Sequence, residues 1–182
     1  MKNIQLFFTA VAILAVHIVT AQKYTPTDDG SEVKFKIKNF GFTVGGSFNG
    51  LKGNIEFDAA KLSSNNFNVT VQSASINTGI GSRDRHLRKE DYFDVEKFPF
   101  IQIKSTKITE ANKPGWLYFF GTLTMKGVTK EVSFPFQANE KDGGYIFTGE
   151  IKINRRDYGV GGNSLSLSDN LIVNLNVYAK KS

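Results

Sequence analysis

Apolar and polar residues alternate along this chain with a period of two, and nowhere does an apolar helical repeat last beyond about two turns. A strand points successive side chains to opposite faces, so each such run predicts a β-strand with one buried face. Val33, Phe35 and Ile37 alternate with Lys34, Lys36 and Lys38, and Leu51, Ile55 and Phe57 stand opposite Lys52, Asn54, Glu56 and Asp58. Further runs start from Phe67, Ile101, Leu117, Val128, Tyr145 and Leu171, which makes eight predicted strands. In the third run the apolar phase moves to Ala74 and Ile76, a change that predicts a bulge near Gln72 or Ser73.

Turn chemistry separates most of these runs, as at Asn112-Lys113-Pro114-Gly115, Lys126-Gly127 and Asp142-Gly143-Gly144. Connections that short join antiparallel neighbours, because parallel strands need a crossover of a dozen residues or more. Two connections are longer. Gly79–Lys97 holds a polar run, Arg83 to Asp91, that predicts one short helix with Ser82 as its N-cap, and Gly159–Asn170 is rich in Gly, Ser and Asn. An antiparallel array of this length removes its edges by closing, so the expected fold class is all-β, an eight-stranded antiparallel barrel. Such an interior is either filled by side chains or holds one small ligand. Gly53, Gly121 and Gly149 fall in the inward phase, where they either make room for a ligand or mark bends in curved strands. A transmembrane barrel is excluded, since the face opposite the apolar residues carries Lys34, Lys36, Lys38, Glu56, Glu131, Glu150 and Lys152, which lipid does not tolerate.

Residues 1–21 have the form of a secretory signal: Lys2, an almost wholly apolar stretch from Ile4 to Val19, then Val19-Thr20-Ala21 before Gln22. Cleavage is expected after Ala21, leaving a single domain over 22–182 in the periplasm or outside the cell; an uncleaved anchor is the alternative reading. The chain carries 23 Lys+Arg against 17 Asp+Glu. In an exported protein that balance points to anionic ligands or surfaces rather than nucleic acid. The absence of cysteine excludes disulfides, thiol nucleophiles and thiolate metal sites. His86 is the one histidine beyond the signal. It sits two residues from Asp84 in a basic segment, with no G-x-S-x-G elbow anywhere, so neither a catalytic set nor a metal site emerges and no cofactor is expected. Arginines gather at the two long connections, Arg83, Arg85 and Arg88 at one and Arg155 and Arg156 at the other, as either a phosphate- or carboxylate-binding group or a solvated face.

Several pieces in fixed order carry a family likeness: Val33-Lys34-Phe35-Lys36-Ile37, Gly46-Ser47-Phe48, Gly53-Asn54-Ile55-Glu56-Phe57-Asp58, Arg83-Asp84-Arg85-His86-Leu87, Asp91-Tyr92-Phe93-Asp94, Lys97-Phe98-Pro99, Gly121 to Lys130, and Arg155-Arg156-Asp157-Tyr158-Gly159. From about Thr25 to Ala179 the chain resembles the YceI-like, polyisoprenoid-binding proteins. The resemblance implies a lipocalin-like barrel that holds the tail of a long isoprenoid or other amphiphilic lipid and performs no chemistry. Where the family usually has a histidine after the first strand, this chain has Asn39-Phe40-Gly41. The expected tail-binding residues are Phe35, Ile37, Phe57, Phe119, Leu123, Phe134, Phe147, Ile151, Leu175 and Val177, with Arg83, Arg85, His86 and Arg155 at a polar head or the barrel mouth. The alternative is an interaction module with a filled core. Trp116, Tyr118 and Phe120, on the face opposite the core, are either a homodimer contact or residues lying beneath the long loops.

Overall fold

The structure is a computed structural model that describes residues 21–182, so the expected signal lies outside the described residues except for Ala21. Ten strands form one closed antiparallel sheet: β1 (Gln22–Pro26), β2 (Glu32–Asn39), β3 (Phe42–Phe48), β4 (Lys52–Phe57), β5 (Asn66–Gln72), β6 (Phe100–Glu110), β7 (Leu117–Met125), β8 (Val128–Lys141), β9 (Gly144–Asn154) and β10 (Leu167–Lys181). They make eight staves. β1 and β2 both pair with β10, Pro26 opposite Ala179 and Glu32 opposite Asn176, and so act as one interrupted strand; β3 and β4 are the two halves of the next. The expected eight-stranded antiparallel barrel is the observed one.

The alternation of the sequence becomes the inside and outside of this wall. Val33, Ile55, Phe57, Phe67, Val69, Phe119, Leu123, Phe134, Phe147 and Ile151 are buried, while Lys34, Lys36, Lys38 and Glu150 are exposed. Because neighbours are antiparallel, the connections after β2, β5, β7 and β9 share one end of the barrel, and those after β4, β6 and β8 share the other.

Local details correct several expectations. The phase change after Val71 is no bulge: β5 ends at Gln72, and a 3-10 turn follows at Ser73–Ser75, pinned where the Ser73 hydroxyl donates to the Phe98 carbonyl at 2.8 Å. The helix α1 (Gly81–Leu87) starts from Ile80 with no side-chain cap, so Ser82 is not its N-cap. A Cβ at Gly53 would lie 2.0 Å from the Asn68 carbonyl oxygen, and one at Gly121 would lie 2.1 Å from that of Lys104. Both glycines therefore mark close backbone approach rather than ligand space; at Gly121 the cause is a register slip between Ser105 and Lys107.

Candidate functional site

The barrel interior encloses a cavity of about 370 Å³, within the roughly 300–1,000 Å³ range of small-molecule sites. Its walls are rows of side chains set by the ladder. Ile37, Leu171 and Ile153 form one row across β2, β10 and β9, and Phe35, Val173 and Ile151 form the next. The row after that runs Val33, Leu175 and Gly149. The Phe134 and Phe136 side chains occupy the place beside this glycine: a Cβ there would lie 3.2 Å from each, so that side chains rather than backbone would have to give by a few tenths of an ångström.

Below that level the interior is solid. Phe67 lies 5.1 Å from Phe147 and 5.8 Å from Phe136, Phe57 lies 4.9 Å from Tyr145, Tyr145 lies 5.2 Å from Tyr24, and Phe119 stacks on Phe134 at 4.9 Å. Most of the contacts around Phe57 and Phe67 are edge-to-face, an arrangement that suits ring quadrupoles. The Tyr145 hydroxyl donates to the Glu140 carboxylate at 3.1 Å; burial first, then that bond and its charge, pushes the phenol up to about 12.

The polar groups collect at the other end. The Asp84 carboxylate accepts from both the amide and the hydroxyl of Thr78, and Arg83 donates through Nε and Nη2 to the Thr78 hydroxyl and carbonyl. The Thr78 hydroxyl bond holds Asp84 below the ordinary carboxylate value, against the opposing pull of burial. Arg88 donates to the carbonyls of Ala74 and Ile76. Arg155, only 3% exposed, donates to the carbonyls of Ser168, Val160, Gly162 and Leu167 and to the Asp169 carboxylate. A guanidinium carries five N–H donors, so this one is fully engaged in holding its own loop in shape.

Nine of the ten apolar residues expected to hold a tail line the cavity; Phe57 instead lies in the packed ring cluster. Arg83, His86 and Arg155 border the cavity and Arg85 does not. Val44, absent from the expected site residues, also lines it, as does Asn39, noted above only as a departure from the family's usual histidine. Asn39 is the next inward position after Val33, Phe35 and Ile37, and the alternation of Phe42, Val44, Gly46 and Phe48 would have shown β3. The Asn39 side-chain carbonyl oxygen is shut from solvent without a hydrogen-bond partner, a state that is uncommon for a buried acceptor. Among the described residues no group of three or more His, Asp or Glu is placed to hold a metal.

The family model for the YceI-like domain matches residues 24–179. A UPF0312 protein of Shewanella oneidensis is 32% identical over 86% of this chain and 87% of its own length; another, from Pseudomonas fluorescens, is 36% identical over 81% of each. Among solved structures, Burkholderia cenocepacia BcnA superposes with a TM-score of 0.77 at 23% identity, covering 82% of this chain and 96% of its own. A polyisoprenoid-binding domain from Saccharophagus degradans, implicated in plant cell wall breakdown, gives a TM-score of 0.69 at 14% identity over 89% of this chain and 99% of its own. These likenesses establish the fold.

Proposed function

The chain belongs to the YceI-like family, and from that premise we propose that it is an exported carrier that sequesters a long-chain amphiphile, an isoprenoid-type lipid foremost, without changing it chemically. The observation that carries the reading is the lining of the cavity: aliphatic walls, an aromatic floor, and Asn39, Arg83 and His86 at its mouth. The structural neighbour described as polyisoprenoid-binding supports the same ligand class.

The tail lies along Phe35, Ile37, Ile151, Leu175 and Val177, over a floor of Phe119, Phe134 and Phe147, with Leu123 in the wall. Apolar burial at about 0.8 kcal/mol per CH₂ makes a few isoprene units a large driving force before ordering costs. The polar end sits among Asn39, Arg83 and His86, where the unpartnered Asn39 oxygen accepts from a ligand hydroxyl. Arg85, outside the cavity lining, belongs to the approach to it, while Arg155 acts by shaping the neighbouring loop. The family and the neighbour described as polyisoprenoid-binding support reading the site as a binding site rather than a catalytic one.

Native mass spectrometry of gently purified protein, followed by organic extraction, is the test. The expected result is a co-purifying amphiphile or uptake of added polyprenyl lipid; a protein that does neither overturns the reading.

A further inference from the structure

Six large apolar side chains among the described residues are exposed, and four of them, Phe40, Phe42, Ile80 and Leu165, surround the cavity mouth. Phe40 and Phe42 are each 77% exposed, and Leu165 is fully so. Their chain neighbours Asn39, Val44, Ser164, Ser166 and Thr78 line the cavity itself. The Phe40 amide donates to the Ser166 carbonyl at 2.9 Å, tying the β2–β3 hairpin tip to the loop that carries Leu165. An antiparallel bridge between Ser47 and Asn77 then directs residues 78–80 alongside β3 toward the same tip.

Nothing about the fold asks for phenylalanine at this place. Phe40 has a left-handed backbone, φ +48°, ahead of Gly41; the equivalent positions before Gly127 and Gly143 hold Lys126 and Asp142. Turns of this kind favour Asn, Asp or Gly, and an aromatic ring there reaches no core. The hairpin tip and helix α1 are cationic: Lys36 and Lys38 stand on the first and Arg83, Arg85, Arg88 and Lys89 on and just after the second, while the acidic residues Glu90, Asp91, Asp94 and Glu96 follow later in the same connection and Asp169 closes the other. The one carboxylate within the helix, Asp84, is buried and bonded to Thr78.

Exposed aromatic and aliphatic side chains within a cationic rim are the combination that settles into the interface of a negatively charged bilayer. We propose that this rim docks on an anionic lipid surface, with Phe40, Phe42 and Leu165 entering the boundary between headgroups and acyl chains so that the cavity mouth opens onto the lipid. The purpose assigned to docking, loading and unloading of ligand, rests on the carrier reading; the docking itself is a separate property of the rim.

The test is co-sedimentation of the purified protein with phosphatidylcholine vesicles, with and without phosphatidylglycerol, alongside uptake of a fluorescent polyene fatty acid dispersed in buffer. Binding to the anionic vesicles alone, weakened by added salt, is expected. The Phe40→Ser/Phe42→Ser double variant should lose about tenfold in partitioning for each ring removed, with probe uptake from buffer unchanged. Trp116, the one tryptophan, is at the opposite end, so wild-type emission should hold steady on vesicles while Phe40→Trp emission shifts to the blue. That reporter keeps the proposal falsifiable if the double variant fails to fold.

Wild-type protein that stays in the supernatant, or binding that survives in the folded double variant, overturns the docking. So does a dimer in solution that the two serines dissolve while vesicles are ignored, which would make a second copy the occupant. Probe uptake without vesicle binding overturns docking alone, whereas loss of both overturns the carrier reading with it.

Discussion

At one end of the barrel eight aromatic rings, from Tyr24 to Phe147, meet at centroid separations between 4.9 and 6.4 Å. Toward the other end the inward positions of β2, β9 and β10 carry mostly Val, Ile and Leu, and the interior is hollow. The wall is the same alternating strand throughout, so the difference lies in reach. Rings extending from opposite walls touch near the axis and shield one another, whereas branched aliphatic chains stop short of it. Leu171, Val173 and Leu175 are accordingly only half-buried although they point inward. The solid end supplies stability and the hollow end supplies capacity.

That division is broken most directly by truncation. Phe119→Ala should cost about 3–5 kcal/mol, because the ring is 2% exposed and meets Phe67 and Phe134. Leu171→Ala should cost no more than roughly 1–2 kcal/mol, since its side chain already borders empty space. Urea unfolding of the two variants measures both, and equal losses would show that the two ends do not differ.

The glycines sharpen the same contrast. Gly149→Leu should stay folded, at an overpacking cost of about 1–3 kcal/mol, and take up less polyene probe, because the added side chain presses on the cavity-lining Phe134 and Phe136 rings rather than on backbone and crowds the space they border. Gly121→Leu should instead fail to fold stably, since its Cβ would strike the Lys104 carbonyl. A folded Gly149→Leu protein with full uptake would favour an interaction module with a filled core over a carrier.

Two smaller effects follow from protons. The Tyr145 phenol keeps its proton up to about pH 12 when folded, while the unfolded chain loses it near pH 10. The resulting stabilisation is complete below that lower value and declines as pH rises through the interval. Thermal melts from pH 9 to 12 should therefore fall less steeply for Tyr145→Phe than for wild type. At the hollow end the sign reverses. Asp84 titrates below its ordinary value, so its contribution is present above about pH 4 and is lost as pH drops through the folded value. The protection of the Thr78 amide against hydrogen exchange, taken relative to the intrinsic rate at each pH, should fall in acid, and Asp84→Asn should flatten that dependence.

Much of this was legible in advance, for a local reason. Alternation at Val33–Ile37 or Tyr145–Ile153 fixes which face is buried, and short turns fix antiparallel order. That Arg83 and Arg155 share an end came from the folded barrel, in which each lies in a connection after an odd-numbered stave. The functions of the arginines were not legible either, because Arg155 satisfies carbonyls of its own loop that only the folded chain brings within reach. Phe57 shows the same limit. Its inward phase could be read, but its height in the barrel could not.

The sequence by itself determined the strand pattern, the inward and outward faces, the exclusion of thiol and metal-thiolate chemistry, and the family, because these depend on residue type and near neighbours. Only the tertiary structure decided which phenylalanines close one end and which floor a cavity, why a Cβ would press on side chains at Gly149 but strike backbone at Gly53 and Gly121, and that Phe40 and Phe42 stand in water at the mouth. Each of those turns on the distance between strands far apart in the chain, and a periodic pattern carries no record of that distance.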